Sequence, residues 1–415
     1  MRIVLVMPTA TYRAPDFIRA AGDLGVDVVV VSDGDLPLSG ERVEQMIETD
    51  LTEPVVAARA IAEQVDGLGV DAVIGVDDGA VVVAAETARA LGVPHADPDA
   101  VAATRDKALM RERLAAAGVP QPSFAVVTSV RDARRTAADL GYPVVVKPLN
   151  LSASRGVIRA DDDSSLGGAW ERARRIAEEA GAPADPPLLV EKFVSGPEVA
   201  VEGLVADGVL EVLALFDKPD PLEGPYFEET IYVTPSRLGR DAEIHAIVEA
   251  GVRALGLDRG PVHAEVRFGP DGPVLIEVAG RSIGGLCSRA LTFGMLRGSL
   301  EEQIIRSALG MTRRGMARTG RATGVMMLPT PAEGVLEGVR RTEAVAEVEG
   351  ITGVEITVTT GRWVRPLPEG DRYLGFLFAE GETPEEVEAA LREAHGLIEV
   401  RIDPDGVPTG GPSTC

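Results

Sequence analysis

Over residues 1–96, short aliphatic runs at 2–7, 27–31 and 71–76 alternate with stretches of helical spacing near 14–24, 54–65 and 80–91. Alternation of this kind predicts a small doubly wound α/β unit built on a parallel sheet. Leu91-Gly92-Val93-Pro94 interrupts the pattern, and Asp97-Pro98 starts a new helical segment. A further helix follows Thr104-Arg105-Asp106-Lys107, with apolar positions at Leu109, Leu114 and Ala117 and a stop at Gly118 and Pro120. Strand patterns recur at 142–148, 188–203 and 210–216, with a turn-rich stretch at 161–168 and helices at 170–181 and 243–255. Residues 217–235 are proline-rich, charged and aromatic, which is the composition of a functional loop.

The clearest pattern lies between Gly260 and Gly285. Val262, Ala264, Val266 and Phe268 alternate with His263, Glu265 and Arg267, and Val274, Ile276 and Val278 alternate with Leu275, Glu277 and Ala279. Period two on both sides of Gly269-Pro270-Asp271-Gly272 predicts a hairpin with one buried face. Pairing Val266 with Ile276 sets Glu265 opposite Glu277, with Cβ atoms roughly 5 Å apart. Facing carboxylates repel unless a cation lies between them. Arg267 and Arg281 supply one in a structural ion-pair cluster, and a divalent metal supplies it in a functional one. His263 shares the polar face with Glu265 and orients it as readily as it acts as a base, so it receives no catalytic role.

Beyond Gly285 a helix is expected at 299–309, then a basic, Gly-punctuated linker at 312–320. The last hundred residues carry strands near 323–328, 354–359, 363–366 and 373–379. They also carry a helix signalled by Thr383, Pro384 and Glu386 as cap, first residue and capping-box partner. Residues 404–415 read as a frayed end. The whole is an α/β and α+β multidomain chain, and 415 residues are too many for one core.

A net charge of −24 argues against a nucleic-acid or anionic-membrane partner. There is no 18-residue apolar run, and the N-terminus opens on a strand pattern rather than a signal peptide, so a cytoplasmic location is expected. Cys287 and Cys415 form neither a disulfide framework nor a metal-ligand spacing.

Candidate chemistry begins after the first strand, where Pro8-Thr9-Ala10-Thr11-Tyr12 lacks the Gly-x-Gly-x-x-Gly of a dinucleotide site. Asp77 and Asp78, at a strand's carboxyl end, suit a ligand crevice or a solvated turn equally. Lys147 ends a β-branched strand and is followed by Leu151-Ser152-Ala153-Ser154-Arg155-Gly156-Val157, a composition that lets backbone N–H groups wrap a phosphate. Glu191 and Glu198 flank a linker whose amides match an adenine edge and whose carboxylate suits ribose hydroxyls; the plain alternative is a hairpin with solvated glutamates.

These pieces, in this order, resemble the ATP-grasp carboxylate–amine ligases over most of the chain, and within them the L-amino-acid ligase branch. The resemblance implies an ATP-grasp fold, with a Rossmann-like pre-domain at 1–96, a two-lobed nucleotide clamp at 97–311 hinged near 191–198, and a small C-terminal α+β domain at 312–415. It assigns ATP contacts to Lys107, Lys147, Ser152, Ser154, Gly156, Glu191, Lys192, Val194 and Glu198, metal ligation to Glu265 and Glu277, and catalysis to Arg281. Glu223, Glu228, Glu229, Gly284 and Gly285 are the implied substrate contacts. The cofactors implied are ATP and Mg²⁺ (two ions, with Mn²⁺ as an alternative), and the substrates a small carboxylate and an amine, both amino acids; a homodimer is compatible. Two departures stand out: Arg155 in the phosphate loop, and Ala279 where many relatives carry Asn. The alternatives are a biotin-carboxylase-like or formyl-phosphate-forming enzyme and a catalytically silent nucleotide-binding regulator.

Overall fold

The computed structural model describes residues 1–34, 36, 42–294, 297–312, 318 and 320–409. Most of the expected linker at 312–320, and the end of the expected frayed tail with Cys415, lie outside them.

The first sheet is parallel, in the order Val43–Glu48, Asp27–Ser32, Arg2–Val6, Ala72–Gly75. Its central strands are buried on both faces, as their unbroken Val/Ile/Leu composition demands, under helices Ala14–Leu24, Pro54–Gln64 and Val81–Leu91. Val43–Glu48 escapes the sequence pattern because it is an edge strand of mixed polarity with one fully buried residue, Ile47. Strand order reverses between Arg2–Val6 and Ala72–Gly75, where Val6 pairs with Gly75, so the loops at 7–13 and 76–80 leave the sheet side by side. Such a switch point is where open α/β sheets form ligand crevices.

A four-stranded antiparallel sheet, in the order Phe124–Val127, Leu188–Lys192, Val144–Pro148, Ile158–Ala160, carries helices Val130–Leu140 and Asp163–Glu179. The latter helix occupies part of the stretch expected to be turns. Asp162 caps it by accepting from the Ser165 amide at 2.9 Å, and this capping box starts the helix ahead of Gly167 and Gly168.

The largest sheet runs antiparallel through Gly272–Ala279, Gly260–Gly269, Glu198–Ala206, Val209–Lys218, Ile231–Thr234, Ala322–Leu328, Gly375–Gly381 and Ile351–Ile356. The C-terminal segment therefore continues the sheet that holds the central hairpin. Its helix Pro384–Leu397 packs on the strands at 231–234, 322–328 and 375–381. Strand Ile231–Thr234 lies within the stretch read as a loop. Strands Gly334–Arg340 and Glu399–Asp403, with Trp363–Val364, form a separate small sheet.

In the hairpin Glu265 pairs with Glu277, but Val266 pairs with Leu275, because a bulge inserts Ile276. The bulge turns Leu275 into the core, fully buried, and leaves Ile276 on the cavity side, the reverse of strict alternation.

Candidate active site

The switch-point loops, the small antiparallel lobe and the large sheet enclose a cavity of about 410 Å³. Lys107 enters it from the first turn of helix Lys107–Ala116, which Asp106 caps by accepting from the Ala108 and Leu109 amides at 2.8 and 3.1 Å. The Lys107 ammonium donates to the Leu151 carbonyl at 2.5 Å and stands 3.8 Å from Glu277 Oε1. Lys147 projects from strand Val144–Pro148 and is ion-paired with Glu191 of the adjacent strand. Arg111, wholly buried, holds the same carboxylate at 3.0 Å. Burial pushes Lys147 down despite Glu191; for Glu191 burial acts upward, but Arg111 and Lys147 together bring it below the usual carboxylate range.

The loop at 151–157 follows strand Val144–Pro148 and receives the Lys107 hydrogen bond at Leu151. Ala153 and Ser154 adopt φ of 53° and 54°, left-handed conformations that L-residues occupy only where the surroundings impose them. Ser152 and Ser154 line the cavity. Gly156 does not; its N–H donates to Pro368 O at 2.9 Å, which draws it toward the C-terminal segment. Its φ is 73°, and a methyl group here would lie 2.8 Å from Pro148 Cγ, so glycine alone fits.

At the hinge Lys192, Val194 and Glu198 all reach the cavity. Lys192 Nζ donates to Gly141 O and Tyr142 O at 2.8 and 3.0 Å, and Val194 O accepts from Arg267 at 2.8 Å. Glu198 pairs with Arg267 and, at 2.6 Å, with Lys218.

The cations beside the facing glutamates differ from those expected. Arg267 is committed to Glu198, and Arg281 turns to Asp78 at 2.9 Å. Lys218, which no sequence motif singles out, sits 2.8 Å from Glu265 and also pairs with Glu198 and Glu229. Oxygens of these three carboxylates gather within 4.8 Å of one another. Burial, with Glu265 beside it, pushes Glu229 up to about 7 although Lys218 opposes the shift. Glu265 itself lies well below its ordinary value, because Lys218 and His263 outweigh burial. His263 Nδ1 lies 2.5 Å from Glu202; burial would lower its pKa, but the hydrogen bonds with Glu202 and Glu265 raise it to about 9.

Asp77 and Asp78 both line the cavity. Burial raises Asp77, whose φ is 99°, whereas Arg281 and Arg105 overcome burial and hold Asp78 far below the carboxylate range. Their position at the end of a strand beside the first strand was the available signal; the Arg281 partnership, crossing about two hundred residues, had none in the sequence. Of the suggested substrate contacts, Glu229, Gly284 and Gly285 line the cavity. Glu228 faces a small adjoining one and is raised by burial. Glu223 lines neither; its carboxylate is more than half exposed and pairs with Arg159 at 3.2 Å.

Residues 140–290 match the ATP-grasp domain and residues 18–95 the ATP-grasp N-terminal domain. The chain therefore carries ATP-grasp domains. Residues 326–403 match L-amino acid ligase C-terminal domain 2. The L-amino acid ligase of Bacillus licheniformis, at 26% identity, superposes with a TM-score of 0.83 over 97% of this chain and 99% of its own. Alanine–anticapsin ligase of Bacillus subtilis is 28% identical over 54% of this chain and 51% of its own length. D-alanine–D-alanine ligase of Aromatoleum aromaticum is 34% identical over 40% and 52%. The chain thus spans about half the length of these two curated ligases.

Proposed function

We propose that the chain joins the carboxylate of one amino acid to the amine of a second, converting ATP to ADP and phosphate by way of an acyl phosphate. The observation that carries this reading is the convergence of Lys107, Lys147, Glu265, Glu277 and Arg281, from four elements and the loop after the last of them, on one cavity. A carboxylate oxygen of the first substrate attacks the γ-phosphorus, and ADP leaves. The second substrate's amine then attacks the acyl carbon, phosphate departs with that oxygen, and the ammonium proton passes to solvent.

Phosphoryl transfer asks the protein for position and charge more than for covalent help. Lys107 and Lys147 supply mobile positive charge to the phosphates, and Ser152 and Ser154 close over them. Glu191, Lys192, Val194 and Glu198 surround the adenosine; Gly156 shapes the phosphate loop rather than touching the nucleotide. The paired oxygen donors of Glu265 and Glu277 fit Mg²⁺, which when bound neutralises β- and γ-phosphate charge. Ala279 offers no side-chain oxygen donor beside them, which favours one firmly held ion over two. Arg281, kept charged and aimed by Asp78, meets the transferring phosphoryl group and then the tetrahedral oxyanion. Glu228 and Glu229, with Gly284 and Gly285, bound the amino-acid end; Glu223 is left out of the set. We take 1–96, 97–311 and 312–415 as the working units, and a cytoplasmic setting, where ATP and amino acids are at hand.

Pairwise screening of the proteinogenic L-amino acids for ADP release tests the proposal. Release should require ATP, Mg²⁺ and two amino acids. Release with bicarbonate or formate and no amine would replace this reading with the carboxylating or formylating one.

A further inference from the structure

Arg13 precedes helix Ala14–Leu24 and is 1% exposed. Its hydrogen-bond partners lie almost three hundred residues away in sequence. Nη1 donates to Ser282 Oγ at 2.7 Å and to Ile283 O at 3.0 Å, and Nη2 donates to Glu301 Oε1 at 2.6 Å. Glu301 is equally buried, in the first turn of helix Leu300–Ala308. The guanidinium also lies over the Phe17 ring, 5.1 Å from its centroid.

A buried ion pair is a poor source of stability, because apolar residues of similar size often serve as well. What a guanidinium fork supplies is direction, since its donors are fixed relative to one another. Here they point at the two residues between Arg281 and Gly284. Ser282 is gripped twice: its hydroxyl accepts from Arg13, and its carbonyl accepts from Arg281 Nη1 at 2.9 Å. The other Arg281 nitrogen reaches Asp78, in the loop beside the one that carries Arg13. Both terminal nitrogens of Arg281 are therefore tied to the N-terminal α/β unit, one directly through Asp78 and one through Ser282.

We infer that Arg13 is a positioning residue for the ligase reaction: anchored by Glu301, it fixes Ser282 and Ile283, and through them aims Arg281 and Gly284 into the cavity. The inference rests on the ligase reading for the role of Arg281, whereas the fixing of the loop does not.

Two measurements on the full chain test it. Hydrogen exchange of the segment at 280–286, without nucleotide, reads loop fixation whatever the activity. Ser282→Ala leaves the Arg13–Glu301 pair intact, so it should raise exchange there by about tenfold, with strands Arg2–Val6 and Gly260–Gly269 unchanged. Arg13→Met should do the same, and if it fails to fold, Ser282→Ala decides. The second measurement is ADP release with Mg²⁺-ATP and a mixture of the twenty proteinogenic L-amino acids. Ser282→Ala should lower kcat about tenfold with KM for ATP within about twofold, the scale of one lost hydrogen bond. Arg13→Lys should retain more turnover than Arg13→Met, and Arg13→Met should cost less in the Arg281→Met background than it does alone. Unchanged loop exchange in Ser282→Ala would overturn the inference, as would a full multiplicative loss in the Arg281→Met background. A wild type that releases no ADP counts against the ligase reading instead, and the exchange result still stands or falls alone.

Discussion

At the scale of single residues, the site is a balance of buried charges, and each substitution separates a structural from a functional share. Glu277 is 28% exposed and 3.8 Å from Lys107, a contact that water screens. Glu277→Gln should therefore leave the melting temperature of the nucleotide-free chain within a few degrees while raising the Mg²⁺ requirement at least about tenfold. Thermal melts and a Mg²⁺ titration of ADP release check both halves; a large loss of stability would make Glu277 a structural partner. Lys218 is the opposite case, at 3% exposure with three carboxylates around it. Lys218→Met leaves Glu229 without a cation and takes one of two from Glu198 and from Glu265, and should cost about 3–5 kcal/mol, as broken buried pairs do. The deficit should shrink from pH 8 to pH 6, because Glu229, already raised to about 7, can take up a proton. Denaturant titrations at the two pH values check this, and an undiminished deficit at pH 6 would contradict it.

At the scale of elements, the loop at 151–157 couples the small lobe to the C-terminal segment. Gly156 bonds to Pro368, and Glu369 receives Arg172 through both carboxylate oxygens, at 2.7 and 2.8 Å. Gly156→Ala must give up a φ of 73° or push Pro148 aside, so it should lose about 1 kcal/mol or more and weaken ATP binding severalfold. Calorimetry with ATP checks this, and wild-type affinity would show that the loop tolerates another shape. Elements with local signals were readable in advance: the hairpin alternation, the Thr383 cap and the aliphatic parallel strands all carry their periodicity within a few residues. The bulge at Ile276 was not, because one inserted residue changes no composition and shows only in its effect on register. The helix from Asp163 was also hidden, since Asp162 and Ser165 read as turn formers until their capping box is seen.

At the scale of the molecule, the buried pair Arg13–Glu301 ties the N-terminal unit to helix Leu300–Ala308, and the partly buried pair Asp78–Arg281 ties it to the loop after the central hairpin. Lys107, Lys147 and the glutamates could be picked out from motif order. These partnerships could not, because nothing local marks a contact that spans most of the chain, and Lys218 fell within the stretch read as a loop. Burial acts upward on both carboxyls, but Arg13 pulls Glu301, and Arg281 with Arg105 pulls Asp78, below their unfolded values. In the pH range between folded and unfolded values the unfolded chain holds more protons, so stability there rises with pH. The contribution is complete above about pH 4.5, the ordinary carboxylate range, and is lost as pH falls through the folded values. Asp78→Asn should therefore flatten the acid side of the stability profile, measured by denaturant unfolding between pH 6 and 3. A slope identical to wild type would mean that Asp78 carries no such linkage.

In the proposed reaction a carboxylate oxygen travels to phosphate on the way to an amide. It is tested by supplying the amino-acid pair chosen by the ADP-release screen, with ¹⁸O in the carboxylate of the acid component, and weighing the inorganic phosphate formed. Activation as an acyl phosphate predicts one ¹⁸O in each phosphate released per amide bond made. Unlabelled phosphate alongside amide formation would contradict the account.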